Sequence, residues 1–197
     1  MGEHIVLELE RIYWTRVALR LAYAAATIWL AAAIVFSFHP NTVHTTFGMG
    51  GPSVSDILRA LFDGVLEAIT APALVMLALV VTALIIRFRD VRRRDPVRRF
   101  TRQQRREGMA RAGGQCATEA GFSRRCSRTA EHGDHFYPWS KGGATSVQNF
   151  VAACSRCNRA KGAQIPSPAQ QERLERRRLA YVLSEDAVRV GERRELP

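Results

Sequence analysis

Two uncharged apolar runs constrain this chain more than any other feature. The first, LAYAAATIWLAAAIVF, covers Leu21 to Phe36; extended to 17–38 it takes in Arg20, whose aliphatic stem can lie on an apolar surface while its charge reaches water. The second, AITAPALVMLALVVTALII, covers Ala68 to Ile86 and is closed by Arg87. Each has about the length a helix needs to cross a hydrocarbon layer of roughly 30 Å. The rest of the chain is too polar to bury both runs as the hairpin of a soluble protein. A cleaved leader does not suit the first run, because Glu3, Glu8 and Glu10 precede it and no small-residue cleavage pattern follows. The sequence therefore predicts an α-helical anchor with two membrane spans, 17–38 and 68–86. Pro72 is expected in the first turn of the second span, where a missing N–H costs least.

Arginine placement orients such an anchor. The 39–67 linker holds Arg59 and no lysine, whereas eleven arginines lie between Arg87 and Arg111, and Arg11, Arg16 and Arg20 stand at the other end. Basic flanks stay on the cytoplasmic side, so both termini, 1–16 and 87–197, are expected in the cytoplasm of a multi-pass protein of the cell (inner) membrane. Within the linker, Val54, Ile57, Leu58, Leu61, Phe62, Val65 and Leu66 recur at helical spacing. This predicts an amphipathic helix lying on the membrane or leading into the second span. FGMGGPS before it reads as a turn, and His39 and His44 as solvated loop residues.

The first 86 residues hold four Arg and six acidic groups; the remaining 111 hold 25 basic and 12 acidic groups, so the net charge of +11 comes from the second half. A basic half implies a polyanionic partner, nucleic acid or anionic lipid. The connector 87–113 can serve as a stop-transfer signal held to lipid headgroups, at about 1 kcal/mol per charge. It can equally neutralise nucleic-acid phosphates. Pro96 should interrupt any helix there, and Ala112 to Gly114 marks the expected start of a cytoplasmic domain at 114–166, followed by a helix and tail at 167–197.

All four cysteines, Cys116, Cys126, Cys154 and Cys157, fall in that domain. A reducing cytoplasm disfavours disulfides, and Cys154-Ser-Arg-Cys157 has the spacing that presents two thiolates to one tetrahedral ion. A domain this short has little core of its own, so a structural Zn²⁺ held by the four cysteines is expected.

Among these cysteines runs EHGDHFYPWSKGGATSVQNFVAACSRCNRAKG, Glu131 to Gly162. Asp134-His135, Pro138, Gly142-Gly143, Asn149, Cys154, Cys157, Asn158 and Lys161-Gly162 follow one another in an order that resembles the HNH endonuclease family, over roughly residues 114–165. The resemblance implies a small α+β, ββα-metal fold that hydrolyses DNA phosphodiester bonds. It implies His135 as general base, Asp134 and Asn158 as ligands of a catalytic Mg²⁺ or Mn²⁺, and Asn149 as the residue that holds the loop so that the His135 ring faces the phosphate. Asn158 stands where other members carry histidine, and its hard oxygen favours Mg²⁺. Lys141, Arg156, Arg159 and Lys161 are expected to contact phosphates. His132 is expected to be a solvent-facing strand residue, and Phe136 and Trp139 to pack in the core.

Residue by residue, HFYPW suits a strand end, SKGGATS a turn, NFVAA a short strand and SRCNRAKG a brief helix stopped by Gly162. Ser167 and Pro168 read as the N-cap and first position of a further helix reaching Leu183, followed by a frayed, charged end. The expected partners are DNA, double-stranded by preference, and the membrane; no small organic cofactor is expected, and a homodimer stays open. Two other readings are a zinc-stabilised nucleic-acid-binding module without cleavage, and a basic domain that binds lipid headgroups.

Overall fold

A computed structural model describes residues 2–37, 53–121, 123–180 and 188–194. His39, His44, the glycine-rich stretch 47–52 and the expected end of the last helix at 181–183 lie outside the described residues. Two long apolar helices come first and a small domain of short strands and helices follows. The chain divides into two compact units, one of residues 16–85 and the other of residues 1–15 and 86–197.

The described part of the 16–85 unit is formed by stretches of two helices, α1 (Gly2–Ser37) and α2 (Val54–Arg92). By length and composition Glu8–Ser37 and Phe62–Arg92 are long and apolar enough to cross a membrane. Leu21, Ile28, Trp29, Leu74, Leu77 and Leu84 on these helices are exposed. The amphipathic stretch from Val54 leads without a break into the apolar stretch from Ala68, one of the two expected arrangements, and the two form one helix of 39 residues. Pro72 therefore lies inside the helix rather than in its first turn. Its ring deprives the helix of one backbone hydrogen bond.

The second unit is built on an antiparallel hairpin of β3 (His132–His135) and β4 (Phe150–Ala153), with β1 (Glu119–Ala120) and β2 (Arg124–Arg125) forming a smaller one. β3 pairs with β4 so that Asp134 stands opposite Val151 and His135 opposite Phe150. A 3₁₀ turn (Trp139–Lys141) follows β3, and α4 (Ser155–Lys161) follows β4, stopped at Gly162 as the sequence predicts. α3 (Arg102–Arg111) begins at a capping box in which Thr101 and Gln104 satisfy each other's backbone N–H groups. α5 (Pro168–Leu179) begins at a second such box, Ser167 with Gln170.

The compact unit is larger than the expected 114–166. α3 packs against both strands of the hairpin, so the arginine-rich connector is in part a structural layer. The tail segment 188–194 is not frayed as expected. Val188 and Val190 are buried, Ala144 donates its N–H to the Glu192 carbonyl at 3.0 Å, and Arg194 donates to the Gly142 carbonyl at 2.8 Å. Its charged composition hides the two valines that anchor it. Arg193 also pairs with Asp90 near the end of α2, at 3.0 Å.

Phe150, 1% exposed, fixes the hairpin to α3. Its ring lies against Gly108 on one edge and Gly133 on the other; a methyl group at either glycine would meet ring carbons at 2.2 Å. Glycine to alanine inside a helix ordinarily stabilises by up to about 1 kcal/mol. Gly108→Ala is expected to do the reverse and destabilise the domain by roughly 1–3 kcal/mol, as overpacking does. A melting temperature equal to or above that of the parent would contradict this packing.

Candidate metal centre and catalytic site

The four thiols come from three places. Cys116 follows α3, Cys126 directly follows β2, and Cys154 and Cys157 open α4, where Cys154 is the N-cap. Their Sγ atoms all lie within 4.8 Å of one another, and Cys126 and Cys154 are 4.0 Å apart. A zinc–sulfur distance of about 2.3 Å in a tetrahedron spaces sulfurs by roughly 3.8 Å, so the cluster fits one such ion with small adjustments. The Cys157 backbone N–H donates to Cys154 Sγ and brings that thiol down to about 7, whereas burial pushes Cys157 up to about 12. One thiol of the pair is thus poised to ionise at the helix N-terminus. Beside the cluster, Glu119 receives Arg173 at 2.8 Å and Arg177 at 3.4 Å, tying α5 to β1. Burial works against the Glu119 carboxylate, but the two guanidinium groups outweigh it and hold the carboxyl below its ordinary range.

Asp134 and His135 are neighbours on β3 with different surroundings. Asp134 Oδ1 accepts from the His135 N–H at 2.8 Å, and Oδ2 accepts from Lys161 Nζ at 2.8 Å. The same ammonium donates to the His135 carbonyl at 2.6 Å. A carboxylate and a carbonyl already hold a cation here, as a hard-oxygen site for a divalent ion would. Asn158 lies on α4, which packs against β3, three positions before Lys161 and so on nearly the same helix face. Asp134 and Asn158 thus lie on two elements that pack together, with Lys161 on the Asp134 carboxylate.

The His135 ring is covered by Phe100, with centroids 4.3 Å apart, and Phe100 in turn meets Phe150 edge-on at 4.9 Å. Burial lowers the imidazole to about 4; Asp134 opposes the shift, while Lys161 and Arg98 add to it. The ring is neutral at neutral pH, the state a general base requires.

Asn149, 0% exposed, holds the intervening loop closed. Its Oδ1 accepts from Tyr137 N–H at 2.8 Å and from Glu192 N–H at 3.4 Å. Its Nδ2 donates to the carbonyls of Tyr137 at 3.0 Å and Ala144 at 2.7 Å. Gly143 accommodates this loop at close range, since a Cβ there would lie 2.0 Å from the Tyr137 carbonyl oxygen.

The four expected phosphate contacts are not equivalent. Lys161 is committed to Asp134, Lys141 sits half-buried in the 3₁₀ turn, and Arg156 and Arg159 are exposed on α4. His132 is on β3 as expected, its Nε2 3.1 Å from Ser155 Oγ. Phe136 is in the core, but Trp139 departs from expectation. Its ring is flanked by the guanidinium groups of Arg94 and Arg98, each 5.2 Å away, and its Nε1–H donates to the Asp95 carbonyl at 2.8 Å. Arg98, Phe100 and Thr145 are neighbours of His135 that the sequence reading passes over. An Asp-Pro turn signal was legible at Asp95-Pro96, but its target lies some fifty residues away.

A strand hairpin with a helix after it, a half-buried acid-histidine pair and a four-thiol cluster together define a small α+β domain with a candidate metal site. Residues 120–164 match the family model described as HNH endonuclease, and Asp134, His135, Asn149, Cys154, Cys157 and Asn158 lie inside the matched segment. No curated protein and no solved structure matches the chain.

Proposed function

We propose that the protein is a membrane-anchored HNH endonuclease that hydrolyses DNA phosphodiester bonds at the cytoplasmic face with a divalent metal ion. The observation that carries the reading is a neutral, half-buried imidazole next in chain to a carboxylate that already binds a cation, within a segment of nuclease family. His135 takes the proton of the attacking water. Asp134 and Asn158 would hold the ion, which when bound supplies charge stabilisation at the phosphate and the leaving oxygen. Asn149 keeps the loop, and with it the base, in place. Lys141, Arg156 and Arg159 contact phosphates and contribute affinity without sequence reading. A groove of about 740 Å³ rimmed by Arg124, Arg128, Arg156 and Arg177 beside α4 offers further basic surface for the strand. Zn²⁺ on the four cysteines is structural.

The test is nicking of plasmid DNA by the full chain in detergent, with Mg²⁺ and with Mg²⁺ omitted. Cleavage that needs the ion supports the reading, and binding without metal-dependent cleavage overturns it. That second outcome would establish the zinc-stabilised binding module, a reading favoured by the Lys161 ammonium on Asp134.

The anchor is read as two spans with both termini in the cytoplasm, on the exposed apolar surface of α1 and α2 and on the arginines that flank them. A reactive tag placed within 39–52 should be labelled from outside intact cells, and one at the C-terminus should not. The opposite pattern would reverse the topology.

A further inference from the structure

The segment that leaves α2 does more than connect. Asp95 stands three residues after the last residue of α2, and each of its acceptor oxygens is used. Oδ1 accepts from Val97 N–H at 2.9 Å, Oδ2 from Thr145 N–H at 3.0 Å, and the carbonyl from Trp139 Nε1–H. Thr145 is held on all sides in turn. Its carbonyl accepts from Gln104 Nε2 at 3.1 Å, and its hydroxyl donates to the Val97 carbonyl. Against that hydroxyl lies His135 Nε2, at 3.1 Å.

A threonine hydroxyl has one proton, and here it is given to Val97. Towards His135 the oxygen can then act only as acceptor, so Nε2 must carry the ring proton and Nδ1 the lone pair. We propose that Thr145, locked by Asp95 and the Val97 carbonyl, is a positioning residue that fixes His135 as the Nε2–H tautomer and leaves Nδ1 as the base nitrogen. Thr145 touches no reacting atom; it acts through His135. Asp95, Val97, Phe100 and Gln104 all lie before the segment that matches the family model, so the positioning shell comes from the strap 95–104 that follows α2. This inference rests on the nuclease reading for its catalytic meaning, but its structural content can be measured separately.

The experiment uses the full chain in detergent with ¹⁵N-labelled histidine, at pH 7.5, and His135→Gln to assign the ring signals. The wild type should show His135 protonated on Nε2. Thr145→Val, which keeps the shape and removes the acceptor, should lose that single-tautomer signature. It should also lower kcat about 100-fold, the scale of a misplaced catalytic group, with KM little changed. Thr145→Ser should restore both, as a purely space-filling role would not. A wild-type ring protonated on Nδ1, an unaltered tautomer in Thr145→Val, or a serine variant no better than valine overturns the proposal. If Thr145→Val does not fold, Asp95→Ala, which frees Thr145 from the strap, is read in the same way. Failure of the wild type to cleave DNA would count against the nuclease reading alone, because the spectra still decide the tautomer.

Discussion

His135→Ala is expected to reduce the turnover of DNA cleavage by about 10²–10⁴-fold, the range a positioned general base contributes. Substrate binding should change little, because the arginines proposed to meet the phosphates are elsewhere. The ring is covered by Phe100 and lies beside Thr145, so its removal leaves a small void without unfolding the domain. The pH dependence carries the same signature. Burial lowers the imidazole from an ordinary 6.5 to about 4, so the unprotonated base persists well below neutrality. The acid limb of kcat/KM should therefore fall nearer pH 4 than pH 6.5. Equal cleavage by the alanine variant, or an acid limb at the ordinary histidine value, would remove His135 from this role.

The second large effect belongs to the thiols. Cys154→Ser should abolish stoichiometric zinc and, with it, the folded domain. The four Sγ atoms join the segment after α3, β2 and the start of α4, elements whose own strands are two to four residues long. Structural zinc contributes about 10–16 kcal/mol in small peptides, comparable to the whole stability of an ordinary domain at roughly 5–15 kcal/mol. Metal analysis and the thermal transition measured together decide the matter. A zinc-free variant that melts like the parent would rule out a structural ion, whereas His135→Ala should keep its zinc and serve as the control.

What could be read from sequence were the features with local signatures. Cys154 and Cys157, the Gly162 stop, the Ser167-Pro168 helix start and the apolar runs each declare themselves within a few residues. The order of Asp134, His135, Asn149 and Asn158 did so as a pattern. What could not be read depends on partners far along the chain. Asp95 looks like a turn residue until Thr145 and Trp139 are folded over it. Residues 102–111 look like an arginine-rich arm, because Gly108, the residue that seats Phe150, has no side chain to signal a core. Val188 and Val190 lie among charges, so the last segment resembles a tail.

The hydrogen bond from the Glu192 N–H to Asn149 has a consequence in time as well as in space. During synthesis the chain emerges from its N-terminus, so Asp134, His135, Asn149 and Asn158 are all outside the ribosome before residues 188–194 are. At that stage the loop over Asn149 lacks the Ala144–Glu192 and Gly142–Arg194 backbone bonds that close it. A nascent chain bearing every motif residue thus still lacks the contacts that close the loop, which only the segment made after it supplies.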